Sequence, residues 1–224
     1  MVDIFQEVEA DLRAERMRAL ALRYGKFAAA AAVAVVLGVG AWQGMAWLHA
    51  RRQRTVAMAY FAAAQEAVAS TPAGSANAKA EADFARLAGN NTPAAYRTLA
   101  RLRAAALAAD AGQAKLAVTL WQEVVNDPEA DPLLAGLARL LSVTHRIDGV
   151  KTAAEAKPLA AELQPLLAAG NPWRPMAEEA EALIDIARGD RKAAEKTLTD
   201  LSGDPSAPQG VRGRAAALLA RLSE

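Results

Sequence analysis

Chemistry needs groups that ionise, ligate or attack, and this chain of 224 residues holds few of them in any productive order. It has no cysteine and two histidines, His49 and His145, which lie 96 positions apart. Thiolate zinc sites, iron-sulfur clusters and a cysteine nucleophile are therefore excluded, and two histidines cannot build an all-histidine metal centre. His49 follows a long apolar run and His145 follows the run LLAGLARLLSVT, so both are expected at surfaces or helix ends. The carboxylates of Glu178, Glu179 and Glu181 are spaced for acid/base work. Their place just after Pro175 fits better with a helix's first turn, where the backbone dipole favours negative charge. Gly-rich phosphate loops, GxSxG and HExxH do not occur in the sequence. The expectation is a protein that is not an enzyme and carries neither cofactor nor metal.

Residues suited to binding are easier to find. Trp173 lies in the segment NPWRP beside Arg174. It serves either as an apolar plug that locks a turn onto the adjacent hairpin or as an exposed anchor for a partner. Arg97 and Arg101 are four apart on one helix face with Arg103 nearby, while Glu123, Asp127, Glu129 and Asp131 cluster after the next helix. These are either solvated faces or a concave surface with charge complementarity for an extended peptide. Arg97, Arg101, Trp173 and Arg174 are the candidate partner surface. With 26 basic and 25 acidic residues the net charge is +1, which supplies no field to hold a polyanion, so nucleic acid is not an expected partner.

The elements that position these residues must be helical. The composition is 53% hydrophobic but only 5% aromatic, and alanine dominates. Alanine gives up no side-chain entropy in a helix, whereas the residues that suit a pleated surface are scarce here. The apolar content is concentrated in residues 27–48, FAAAAAVAVVLGVGAWQGMAWL, which opens at Phe27, closes at Leu48 and has one polar side chain, Gln43. Its length of about 33 Å as a helix matches a hydrocarbon core of about 30 Å, and Trp42 and Trp47 fall where indoles prefer the headgroup region. A transmembrane helix is predicted here. The acidic residues of the preceding segment and the lack of an A-x-A site argue for an uncleaved anchor over a removed signal peptide.

Five basic residues precede the span (Arg13, Arg16, Arg18, Arg23, Lys26) and three follow it (Arg51, Arg52, Arg54), which favours an N-terminus on the cytoplasmic side. Gly40 and Gly44 form a GxxxG pair that lets a second span approach closely. Residues 3–24 are predicted helical, with Ile4, Val8 and Leu12 on one stripe, either solvated or lying on the membrane surface. The expected organisation is a short cytoplasmic helical segment (1–26), a transmembrane helix (27–48) and a helical domain (49–224).

That domain is punctuated at Thr71-Pro72-Ala73-Gly74, at residues 89–93, 110–112, 126–128, 148–149, 170–172, 188–190 and 203–205, and no stretch alternates with period two. It also contains an internal repeat. Gly112, Ala117, Trp121, Val124 and Pro128 recur, 77 residues later, as Gly189, Ala194, Leu198, Leu201 and Pro205. In each unit glycine allows a helix to end in a left-handed conformation and alanine sits where two helices cross closely. The larger apolar residues fill the groove, and proline stops the second helix. The helices between are expected to be broken by Pro158 and Pro165, and residues 51–69 and 214–222 to open and close the array. The pattern resembles the second half of a tetratricopeptide repeat, whose unit is about 34 residues, and points to a degenerate helical-hairpin solenoid.

The leader MVDIFQEVEADLR, the single span, the basic exit RRQR, the segment TPAAYRTLARLRAA and the run GNPWRPMAEEAEALIDIARGD together resemble a bacterial family. That family is the ancillary Sec-translocon subunits with a tetratricopeptide-like domain. The resemblance implies a single-pass inner-membrane protein with a short cytoplasmic N-terminus and a periplasmic domain, associated with the translocon and with periplasmic folding factors. The alanine-heavy first hairpin, residues 57–88, departs from a well-marked partner groove. The alternative is a cytoplasm-facing scaffold or regulator of a membrane or cell-division complex.

Overall fold

The computed structural model describes residues 3–69 and 75–223; before Val33 it describes the side chains of Arg18, Arg23, Lys26, Phe27, Ala30 and Ala31 only. The expected stripe of Ile4, Val8 and Leu12 and the break at Thr71-Pro72-Ala73-Gly74 lie outside those described parts. Among the described residues the structure is all-helical, with no strand. The first helix, α1, covers Asp3–Ala69, and the chain divides into two compact units, Met1–Thr55 and Val56–Glu224.

The described residues of the first unit, from Asp3 on, are helix alone. Its described apolar side chains are exposed, Trp42 by 74%, and Gly38, Gly40 and Gly44 have nothing within 4 Å of an added Cβ. The Arg51 guanidinium lies over the Trp47 ring, 5.5 Å from its centroid, which shelters the cation's flat face on an indole. Within the stretch Val33–Val68 of α1 an 18-residue window is apolar enough to cross a membrane, and none of that window is buried.

In the second unit the end of α1 is followed by α2 (Ser75–Leu87), α3 (Ala94–Asp110), α4 (Ala114–Val125), α5 (Pro132–Ile147) and α6 (Ala153–Leu163). A 3-10 turn (Gln164–Leu166), α7 (Arg174–Ala187), α8 (Arg191–Gly203) and α9 (Gln209–Leu222) complete it. From α2 onward each helix packs on the next, and α5 also touches α7 while α7 touches α9. Sequential hairpins whose first helices meet are the geometry of a solenoid, in which every unit buries its apolar face only against its neighbours.

Local chemistry sets the ends. At Gly112 (φ 76°) and Gly189 (φ 85°) the chain takes the left-handed conformation that a Cβ disfavours. There Gln113 and Asp190 donate their N–H groups to the carbonyls of Ala108 and Asp185, both at 2.8 Å. This is a Schellman closure, which satisfies carbonyls that the helix leaves unpaired. Helix starts are capped by Asp131, whose Oδ1 accepts from Leu133 N at 2.8 Å, by Thr152 on Glu155 N, and by Asp190 on Ala193 N.

The core is assembled hairpin by hairpin. Ala105 and Ala108 of α3 and Ala117 of α4 are fully buried around Trp121, which is 1% exposed, while Ala182 meets Leu198 and Leu201 in the later unit. Small residues on one helix let the other's large side chain reach the axis. The expectation for the two prolines needs correcting. Pro165 does end α6 and tightens the chain into the 3-10 turn, but Pro158 lies inside α6. It stands within two turns of the helix start, so its missing N–H frees only the carbonyl of the exposed Ala154, which water can satisfy. The 3-10 turn and the loop before α7 lengthen the middle hairpin, and this is why the repeat offset exceeds two units of about 34 residues.

Candidate partner-binding surfaces

Arg97 and Arg101 occupy one face of α3, and their partners arrive from the loop that the Asn126-Asp127-Pro128 break creates after α4. Arg97 Nε donates to Asp127 Oδ2 at 2.9 Å, and its Nη2 donates to Asp127 Oδ1 at 3.1 Å and to Glu129 Oε2 at 2.8 Å. Arg101 Nη1 donates to the same Asp127 Oδ2 at 2.8 Å, while its Nε stands 3.2 Å from Glu123 Oε2 and its Nη2 donates to Asn90 Oδ1 at 3.3 Å. The Arg97 guanidinium holds the Asp127 carboxyl below the usual carboxylate range, and the hydrogen bonds that Arg97 donates to Asp127 and Glu129 hold it more firmly charged. These groups line an open pocket of about 660 Å³ between α3 and α4.

This corrects the surface expected of the two arginines. They are 6% and 8% exposed and direct most of their donors to their own domain, Arg101 Nε alone making no hydrogen bond although it stands near Glu123, because a guanidinium leaving water must find carboxylates to replace it. They clamp the α4–α5 loop onto α3.

Trp173 is likewise committed internally. Its Nε1 donates to Leu133 O at 2.9 Å and its ring lies against Gly136 of α5, so it plugs the turn onto the preceding hairpin. The neighbouring Arg174 is exposed and pairs with Glu178 one turn on, at 2.8 Å. The glutamates expected in a first turn are in the second, since α7 begins at Arg174. Glu178 takes Arg174, and Glu179 accepts both Nε and Nη2 of Arg214 from α9, each at 2.6 Å. His145 lies in the last turn of α5, where Nδ1 is 3.1 Å from Leu141 O and the ring leans on Trp121 with centroids 4.5 Å apart. His49 is exposed on α1. The repeat residues Ala117, Val124, Ala194, Leu198 and Leu201 are buried with Trp121, while Pro128 and Pro205 are exposed in the following loops.

A second pocket, about 440 Å³, opens between α7 and α8 and was not anticipated. Glu178, Glu181, Asp200 and Asp204 line it together with Arg174 and Lys196. Burial raises the Glu181 carboxyl above its ordinary range, with the Asp185 and Glu178 charges adding to it. Asp204 is lowered, first by the Ser206 hydrogen bonds, with Arg174 and Arg212 contributing. The signal that finds this pocket is the 77-residue repeat itself. Carried from the apolar slots to the charged ones, it pairs Arg97 with Arg174, Glu123 with Asp200, and Asp127 with Asp204.

Stacked helical hairpins with polar pockets between their helices, and an unburied apolar helix in the other unit, define a helical-repeat scaffold, an architecture that typically binds other proteins and does no chemistry. The sequence matches the family described as Tetratricopeptide repeat-like domain over residues 22–155, more than half of its length, and the chain belongs to that family. The match includes the first glycine-to-proline unit, and the second lies beyond it. No curated protein and no solved structure matches the chain.

Proposed function

We propose that this protein is a membrane-anchored protein-protein interaction module, an accessory subunit of the Sec translocon that links it to periplasmic folding factors or emerging chains. In this reading residues 27–48 span the bacterial inner membrane, the N-terminus is cytoplasmic and the repeat domain is periplasmic. The observation that carries it is one chain holding both an apolar segment with none of its span window buried and a tetratricopeptide-like array. The five-to-three excess of basic residues before the span supports the orientation. Tethering raises the local concentration of the domain, so weak contacts with a partner suffice. Gly40 and Gly44 offer a close-approach face to a second span.

A reporter active only outside the cytoplasm, fused at the C-terminus, is expected to be active. Activity from a cytoplasm-specific reporter alone would instead assign the domain to a cytoplasmic scaffold or regulator of a membrane or cell-division complex. Photo-crosslinkers at the exposed Leu116 and Leu133 are expected to capture translocon subunits or periplasmic folding factors in intact membranes. Capture of neither, at normal expression, removes the translocon assignment.

A further inference from the structure

The two pockets lie at corresponding places of the 77-residue repeat and differ in charge at four positions: Arg101 against Glu178, Ala104 against Glu181, Thr119 against Lys196 and Glu129 against Ser206. In the first, the Arg101 guanidinium reaches Asp127 and Glu123 at 2.8 and 3.2 Å. In the second, the corresponding acids are kept as Asp204 and Asp200, but the residue in the Arg101 position is Glu178, and Glu181 replaces the alanine found at Ala104. The guanidinium has been removed and its carboxylate cradle left standing. One cradle carboxylate, Asp200, and the added Glu181 make no hydrogen bond and no ion pair among the described residues, while Asp204 accepts from Ser206 and Arg174 is already held by Glu178. Four acidic groups and two cations, one of them spent, line an opening of about 440 Å³, and Arg188 and Arg212 act on Glu181 and Asp204 from outside the lining.

We propose that the α7–α8 pocket receives an arginine side chain from an extended basic segment of a partner protein. The incoming guanidinium lies between Asp200 and Asp204 as Arg101 lies between Glu123 and Asp127, and Glu181 supplies a further acceptor. Arginine fits better than lysine because the template is a planar fork that contacts two separate carboxylates, which a single ammonium does not reproduce. Half-burial of Glu181 beside Asp185 and Glu178 disfavours its charged form, only partly offset by Arg188, and an entering cation relieves the remaining cost. The proposal rests on the domain being an interaction module and holds whichever complex that module joins.

The test uses the full chain in lipid nanodiscs. The probe is a short fluorescein-labelled peptide of alternating arginine and glycine, and the control is the same peptide with neutral citrulline in place of arginine. Anisotropy is expected to show the arginine peptide binding at least about ten-fold more tightly than citrulline, a discrimination of about 1.4 kcal/mol. Glu181→Gln combined with Asp200→Asn, which removes no internal contact, is expected to weaken binding about ten-fold. Glu178→Arg places a guanidinium where the first pocket has one and should abolish binding, whereas Glu123→Gln should leave it unchanged. Equal binding of the citrulline peptide, or wild-type binding by the double variant with helicity intact, overturns the proposal. Either result alongside retained crosslinks from Leu133 leaves the interaction module standing and removes only the arginine pocket.

Discussion

Replacing Gly136 by alanine places local helix propensity and tertiary packing in direct opposition. Gly136 is interior to α5, where the substitution by itself favours the helix by about 1 kcal/mol. A Cβ there would stand 2.8 Å from Trp173 Cδ1, 3.1 Å from Nε1 and 3.4 Å from Leu166 Cδ2. The indole cannot retreat freely, because Nε1 is bonded to Leu133 O and the ring packs against the α5–α7 core. Overpacking of this kind costs about 1–3 kcal/mol, and displacing the indole forfeits a hydrogen bond of about 1 kcal/mol. The net expectation for Gly136→Ala is destabilisation by about 2 kcal/mol, seen as a fall in Tm of about 4–8 °C for a domain of this size. Thermal melts followed by far-ultraviolet circular dichroism measure it. The cycle is completed in a Trp173→Leu background, where the obstructing ring is gone and the same alanine should become neutral or stabilising by up to about 1 kcal/mol. A rise in Tm for Gly136→Ala in the otherwise unchanged protein would refute the account of Trp173 as a plug.

Asp127→Asn leaves Arg97 and Arg101 buried without their shared carboxylate and is expected to cost about 2–4 kcal/mol in urea unfolding. The same carboxyl gives a pH signature. Its folded pKa is depressed, so its contribution is complete above the unfolded value of about 3.9 and is lost as pH falls through the folded one. Wild-type stability should therefore drop in acid below about pH 4, and the drop should be shallower in the variant. Glu181 and Asp185 work the other way: burial raises both, so their ionisation opposes folding and protonating them on mild acidification recovers stability. Glu181→Gln should flatten that mild-acid rise in a Tm against pH series. Ala117→Leu and Ala194→Leu each overpack a helix crossing by about 1–3 kcal/mol, and thermal neutrality of both would show that the repeat register is wrong.

The positions legible from sequence are those where one residue type answers a backbone demand. Gly112 and Gly189 mark helix ends because the observed φ of 76° and 85° is open to glycine and costly for almost anything else. The alanine and large-residue slots were legible for a similar reason, since close crossing tolerates little besides Ala117 and Ala194. Pro158 was misread because a proline's effect depends on its distance from the helix start, which local sequence locates only to within a few residues. The exposure of Arg97 and Arg101 was not legible at all. A charge on an amphipathic helix is buried only if a carboxylate comes to meet it, and Asp127 lies 30 residues further along the chain.

The locked and open pockets also follow from how a repeat array distributes stability. In a solenoid each hairpin is held chiefly by its neighbours, so a polar contact between helices of one hairpin tightens that unit with limited effect elsewhere. In the α3–α4 hairpin the two arginines tie the following loop to the first helix, which fixes the entry to α5 and satisfies charges that would otherwise be costly to bury. In the α7–α8 hairpin Ser206 bonds to Asp204 in the corresponding loop, and α9 is held by Arg214 on Glu179, so the unit is closed without a guanidinium at the Arg101 position. Those substitute contacts free Glu181 and Asp200 from any structural duty. A carboxylate left unpaired while half-buried, as Glu181 is, is a standing cost to folding, and the cost is recovered when a partner brings the missing cation.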